Sequence, residues 1–346
     1  MSGADSYPDD ALEVRLVRAL AWQPSEQAIA QLDTVIGRVL APRQRRWVRP
    51  LALLAAAVLL MGAAVTLTLV QQAASTMPGH RVAYDRGEIL GLSQTVDGYT
   101  VVLERAYLDP NQLVLAFSVP DVAGMGPIVP RADVVDSKGR HYLDFAGGDV
   151  TDETLGSGTV LAYDVPSGVT GTVHLTVSVP FLMTLQTVPP ALAPKEPLTY
   201  AFDLTVQPAT SVTVDETRAV DGRSLSLRWL RFSATAVRLR LDTDLTGLPT
   251  ADYPRWSLDA SLRRPDGRVE QLLWMALPPE WTGQPKSALK DVIDKADGSV
   301  TIFQSLSGTD DPTGTWTVTV DRLIGYDGNG GTTAVSGPWI FNVRVP

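Results

Sequence analysis

The sequence contains no cysteine and only three histidines among 346 residues. The first absence excludes disulfides, cysteine-ligated zinc and thiol catalysis, and leaves the redox compartment open. His80, His141 and His174 are scattered without ligand spacing, so no metal site is expected from them and exposed or strand-surface positions are the default. No glycine-rich loop leads from a strand into a helix, since Gly328-Asn329-Gly330-Gly331 runs into another strand-like segment. A GxSxG nucleophile elbow is missing as well. The acid pairs Asp152-Glu153, Asp242/Asp244 and Asp310-Asp311 do not follow a calcium-loop pattern and fall where turns are expected. The expectation is a protein with no catalytic residues, no cofactor and no enzymatic activity.

Charge is absent over one long stretch. From Leu51 to Val70 the chain reads LALLAAAVLLMGAAVTLTLV, with Thr66 and Thr68 as its polar residues. A helix of about 20 residues spans roughly 30 Å, the thickness of a bilayer's hydrocarbon core. No face of this run is polar, which argues against a buried core helix. Arg43, Arg45, Arg46 and Arg49 precede it, whereas residues 71–79 carry no charge. Positive flanks stay on the cytoplasmic side, so residues 1–46 are expected inside and the rest outside, in the cell membrane. Trp47 suits the headgroup interface, and residues 47–72 comprise the span with its flanks. The rival reading is a cleaved signal peptide ending near Ala73-Ala74. The long segment before the apolar run weighs against it.

The chain's net charge of −9 combines +1 over residues 1–50 with −10 beyond the span, where 22 Lys and Arg face 32 Asp and Glu. An acidic exterior excludes a nucleic-acid binder there. Residues 1–46 read as two short helices, broken at Trp22-Gln23-Pro24 because proline cannot continue a helix. Leu12, Leu16, Val17 and Leu20 share one face of the first; Ile29, Leu32, Ile36, Val39 and Leu40 recur at helical spacing in the second. Such short helices bury little alone, so they either pack as a hairpin or offer an apolar surface to a cytoplasmic partner. Leu16, Leu20, Leu32 and Ile36 are the candidate partner-binding positions.

The remaining sequence is rich in Val, Thr and Leu in period-two alternation, with Gly, Pro, Asn and Asp between runs, which is the pattern of strands and turns. It also repeats itself. Val96-Asp97-Gly98 continues as YTVVLERAYLDPNQLVLAFSV, and Val220-Asp221-Gly222 continues as RSLSLRWLRFSATAVRLRLDT. Leu103, Leu113, Leu115 and Phe117 then correspond to Leu227, Val237, Leu239 and Leu241. In the same order, DVVDSKGRHYL (133–143) parallels SLRRPDGRVEQLL (261–273), and GTVHLTVSV (171–179) parallels GTWTVTVDR (314–322). YAFDLTV (200–206) and WIFNVRV (339–345) close the copies. About seven short strands per copy predict two tandem immunoglobulin-like β-sandwich domains, 80–207 and 208–346, in a mainly β exterior. A helix is expected near Ser287–Lys295. Trp229, Trp316 and Trp339 fall on strands as core candidates, while Trp274 and Trp281 flank Pro278-Pro279 and pack on that helix or form a stacking platform.

The strand pair QTVDGYTVVLERAYLDPNQLVLAFSV and the closing Gly337-Pro338-Trp339-Ile340-Phe341 resemble bacterial membrane proteins grouped as domain of unknown function 4179. The likeness is best over residues 85–120 and weak beyond 207. It implies one transmembrane helix, an exterior β-domain, and an anti-sigma-factor-like role in which the cytoplasmic segment holds a sigma factor or other regulator while the exterior senses an external ligand. The cytoplasmic segment lacks the His/Cys zinc signature of many anti-sigma factors. The alternative is a cell-surface adhesion or envelope-binding module anchored by its helix.

Overall fold

The computed structural model describes residues 68–96, 99–120, 128–152, 156–184, 196–243, 255–275, 300–305, 307–326 and 332–346. All belong to one compact unit, Thr66–Pro346. Residues 68–74 are helical, and a second helix, α1 (Pro78–Arg86), follows a short turn. Among the described residues no helix is long and apolar enough to cross a membrane. The predicted cytoplasmic segment and most of the predicted span lie outside the described residues, as does the helix expected near 287–295. The structure is otherwise mainly β.

Eight strands follow α1: β1 (Glu88–Val96), β2 (Tyr99–Leu108), β3 (Gln112–Pro120), β4 (Ile128–Asp136), β5 (His141–Asp152), β6 (Gly156–Asp164), β7 (Thr172–Thr184) and β8 (Leu198–Thr205). Their order is β1-β2-β3-β6-β5-β4-β7-β8, with antiparallel pairing throughout. The long β5 turns the corner between two layers. Its start pairs with β4 at Val134↔Tyr142 and its remainder with β6 from Leu143↔Asp164 onward. The outermost strands meet through one side chain: the Gln94 amide on β1 accepts from the Thr199 N–H at 2.9 Å and donates to the Thr199 carbonyl on β8.

The chain leaves β8 and passes through residues 206–209, which include Pro208, into nine further strands. These are β9 (Thr210–Val220), β10 (Arg223–Phe232), β11 (Val237–Thr243), β12 (Arg255–Arg263), β13 (Val269–Gln271), β14 (Leu273–Met275), β15 (Val300–Gln304), β16 (Gly314–Tyr326) and β17 (Thr332–Val345). They form a five-stranded sheet, β14-β15-β11-β10-β9, and a four-stranded sheet, β13-β12-β16-β17. This is the order of the first eight strands again, with β13 and β14 together in the place of β5. The corner falls at Leu272, which is buried and donates its N–H to Ala260 O at 2.9 Å.

The correspondence reaches single residues. β2 shifts register against its neighbours between Leu103 and Arg105, and β10 shifts between Leu227 and Trp229. Each bulge has a left-handed residue opposite it, Gly91 (φ 57°) on β1 and Asp215 (φ 46°) on β9. The hairpin turns Asp136–Arg140 and Arg264–Arg268 are bonded alike: Gly139 N–H donates to Asp136 O at 2.9 Å and Gly267 N–H to Arg264 O at 3.0 Å.

Two cores result. One gathers Leu103, Leu113, Leu115 and Phe117 with Val177 and Tyr200; the other gathers Leu227, Val237, Leu239 and Leu241 with Trp316 and Trp339. Buried ring polar groups reach backbone acceptors, as Tyr200 Oη does to Val101 O (2.8 Å) and Trp339 Nε1 to Arg223 O (3.1 Å). Trp229 departs from its expectation. The extra residue at the bulge, Arg228, reverses the alternation, so Leu230 and Phe232 point inward and Trp229 lies half-buried beneath the Arg231 guanidinium at 5.0 Å. Asp242 also departs, lying on β11 rather than in a turn and pairing with Arg228 and Arg240.

Candidate functional site

Leu16, Leu20, Leu32 and Ile36, the candidate partner-binding positions, lie outside the described residues, as does Trp281. The described residues offer two assemblies that the sequence did not single out.

The first is an arm, residues 68–86, lying on the outer face of β2, β3 and β6. Val70, Ala73, Ala74, Ala83 and Tyr84 pack against Tyr107, Val114, Ala116, Val160 and Ala162 in a cluster separate from both cores. Inward residues of these strands feed the first core, and their outward neighbours are apolar and mostly small, which lets a helix approach closely. At two points even a methyl group is excluded. A Cβ on Gly158 would collide with the backbone of Leu69 and Val70, and one on Gly148 would lie 3.0 Å from Ala73 O.

Few polar contacts hold the arm. Arg105 donates to Tyr84 O at 3.1 Å and stands 4.7 Å over the Tyr84 ring. Arg86 meets Asp310 with two hydrogen bonds, one at 2.7 Å, on the exposed surface. That contact raises the Arg86 pKa and lowers that of Asp310. α1 begins at Pro78 with no side-chain cap from Met77. His80 is neither exposed nor on a strand, but buried on α1. Its Nδ1 has no hydrogen-bond partner, and burial holds its pKa down at about 4.

The second assembly joins the two sheet systems. The β2–β3 turn (Asp109, Pro110, Asn111) and the β10–β11 turn (Ser233, Ala234, Thr235) are bonded alike, Asp109 N–H to Gln112 O and Ser233 N–H to Ala236 O, both at 3.0 Å. They face each other reciprocally. Asn111 Nδ2 donates to Ser233 Oγ at 3.1 Å, and Thr235 Oγ1 donates to Asp109 Oδ2 at 2.5 Å. This exchange of equivalent contacts is the pattern of a two-fold interface. Around it Arg238 pairs with Asp164, Arg231 donates to Pro110 O at 3.0 Å, and Gln304 Nε2 donates to Gln112 Oε1 at 3.0 Å. Asp109, Asn111, Gln112, Arg238 and Asp164 are all buried. Burial raises the pKa of Asp109 and Asp164, against hydrogen bonding from Thr235 and the charge of Arg238 respectively. Two carboxylates and two guanidiniums balance within this joint, as buried charge requires.

Neither assembly presents an open nucleophile beside a base. Among the described residues no three His, Asp or Glu side chains come together to hold a metal ion. His174 pairs with Asp203 at 2.7 Å on an exposed strand surface.

No family model matches the chain, so the resemblance to domain of unknown function 4179 has no support from that comparison. No curated protein matches it either. A solved structure, "the conserved domain protein from Bacillus anthracis", is similar in fold, with a TM-score of 0.54 at 9% identity over 76% of this chain and 93% of that one. At that identity the likeness concerns fold alone.

Proposed function

We propose that the protein is a single-pass membrane protein whose β-rich exterior senses or binds a ligand and whose cytoplasmic segment contacts a regulator, in the manner of an anti-sigma factor. The observation that carries this reading is the direct passage from the charge-free run Leu51–Val70 into helical residues 68–74 packed on the first sheet. A span that leads straight into a docked arm suits transmission better than a flexible tether does. The exterior is read as two immunoglobulin-like sandwiches descended from one duplicated domain. The repeated strand order, the paired bulges and the reciprocal turns support that descent.

Two measurements test the reading. Protease added to intact cells should remove residues beyond about 80 and spare the first 46, matching an N-terminus held inside. Residues 1–46 used as bait should capture a cytoplasmic regulator, and Leu32→Asp with Ile36→Asp should abolish capture without altering membrane insertion. Protection of the C-terminal region overturns the orientation. Capture of nothing shifts the reading to an anchored surface module.

A further inference from the structure

The arm is held by one small apolar cluster and by few polar contacts. α1 is nine residues long and lacks a side-chain cap, and a helix this short is not stable alone. Its order therefore depends on the sheet face beneath it. That face is made for it: Gly148 and Gly158 leave no room for a side chain where the arm crosses, and Ala116 and Ala162 keep the surface flat. The docking cluster of ten residues is small beside either core. Regions with few buried apolar contacts open first. The polar contacts at its far end, between Arg86 and Asp310, are exposed and weak.

Within this shallow interface lies one group that cannot keep its docked surroundings in acid. His80 is 3% exposed, with Nδ1 unpartnered. The other titratable groups of α1 are Arg81, Tyr84, Asp85 and Arg86. Arg81 pairs with Asp85 at 2.8 Å and Arg86 with Asp310. The packed strands contribute Glu104, Arg105 and Tyr107 on β2, no titratable group on β3, and on β6 Tyr163, which lies in the first core, and Asp164, which pairs with Arg238. Glu104 accepts from Ser118, and Arg105 is taken up by the carbonyl and ring of Tyr84, so neither partners the His80 imidazole.

We propose that residues 68–86 form an acid-released latch, held on the outer face of β2, β3 and β6 while His80 is neutral and freed when the imidazole takes up a proton from solvent. Release exposes Tyr107, Val114, Ala116, Val160 and Ala162 and uncouples the β-rich region from the segment that precedes it. The latch does not rest on the anchoring reading, because it concerns contacts within the compact unit alone.

The size of the effect follows from the depression of His80 from 6.5 to about 4. Relative to about pH 7.5, docking should weaken roughly 70-fold at about pH 4.5. Hydrogen exchange on the full chain in detergent, corrected for intrinsic rates, reads this directly. Amides of residues 79–86 should lose protection by that factor between about pH 7.5 and pH 4.5, while those of β10 and β11 keep theirs. His80→Gln should abolish the pH dependence, and Gly158→Val should leave the arm unprotected at neutral pH. Protection unchanged in acid, or lost equally in His80→Gln, overturns the latch. Should either variant fail to fold, NMR titration of the wild-type chain decides, because three histidines give three resolvable signals. A His80 signal titrating near its ordinary value overturns the proposal, and one near 4 supports it.

Discussion

Arg238 on β11 and Asp164 at the end of β6 form an ion pair across the joint between the two sheet systems, the guanidinium wholly buried and the carboxylate nearly so. Removing one member leaves a charge with no compensation. Arg238→Ala should therefore cost about 3–5 kcal/mol in urea unfolding, whereas Arg238→Met combined with Asp164→Leu should cost far less. A double variant as unstable as the single one would show that charge balance is not what the pair provides.

Leu115 and Leu239 hold equivalent places in the two cores, and both are fully buried. Truncation of either to Ala should cost about 2–5 kcal/mol. The two losses should be of similar size, since the surrounding strands repeat. A loss below about 1 kcal/mol at either site would mean that its surroundings collapse into the gap.

The tryptophans should separate by position. Trp316→Ala opens the second core beside Phe232, whose ring lies 4.9 Å away, and should cost roughly 3–5 kcal/mol. Trp229→Ala loses one cation–π contact at a half-buried site and should cost about 1 kcal/mol. Equal losses would place Trp229 in the core and remove the bulge.

Acid should act on the two assemblies in opposite directions. His80 has a folded pKa depressed to about 4, so its contribution is present above 6.5 and is lost as the pH falls toward 4. That difference is worth roughly 3 kcal/mol. Asp109 and Asp164 have raised folded values, so they favour the folded state at low pH and cost stability as the pH climbs through those values. On mild acidification α1 should open while the Asp109 and Ser233 turn amides remain protected, which exchange at single-residue resolution can check.

Alternation and turn residues carried much of the strand pattern into view. Leu103, Leu113, Leu115 and Phe117 matched Leu227, Val237, Leu239 and Leu241 in the sequence, and all eight are buried. The bulge was hidden because one extra residue leaves composition unchanged while reversing every later side chain, which is how Trp229 came to be misplaced. The joint was equally hidden. Asp109, Asn111 and Thr235 are ordinary turn residues, and only their meeting over more than a hundred positions gives them a second role. The arm was obscured by its own composition. Leu69 and Val70 end a run apolar enough for lipid, and apolar side chains do not announce whether lipid or a sheet will cover them.

The Gln94 amide has a consequence for the edges of the first sheet. Outermost strands carry rows of unpaired N–H and C=O groups that invite a strand from a neighbouring chain. By copying a peptide group between β1 and β8, Gln94 satisfies one backbone N–H and one carbonyl of an outermost strand, those of Thr199. A strand arriving from a neighbouring chain then has to displace that side chain before it can pair with either strand at this point.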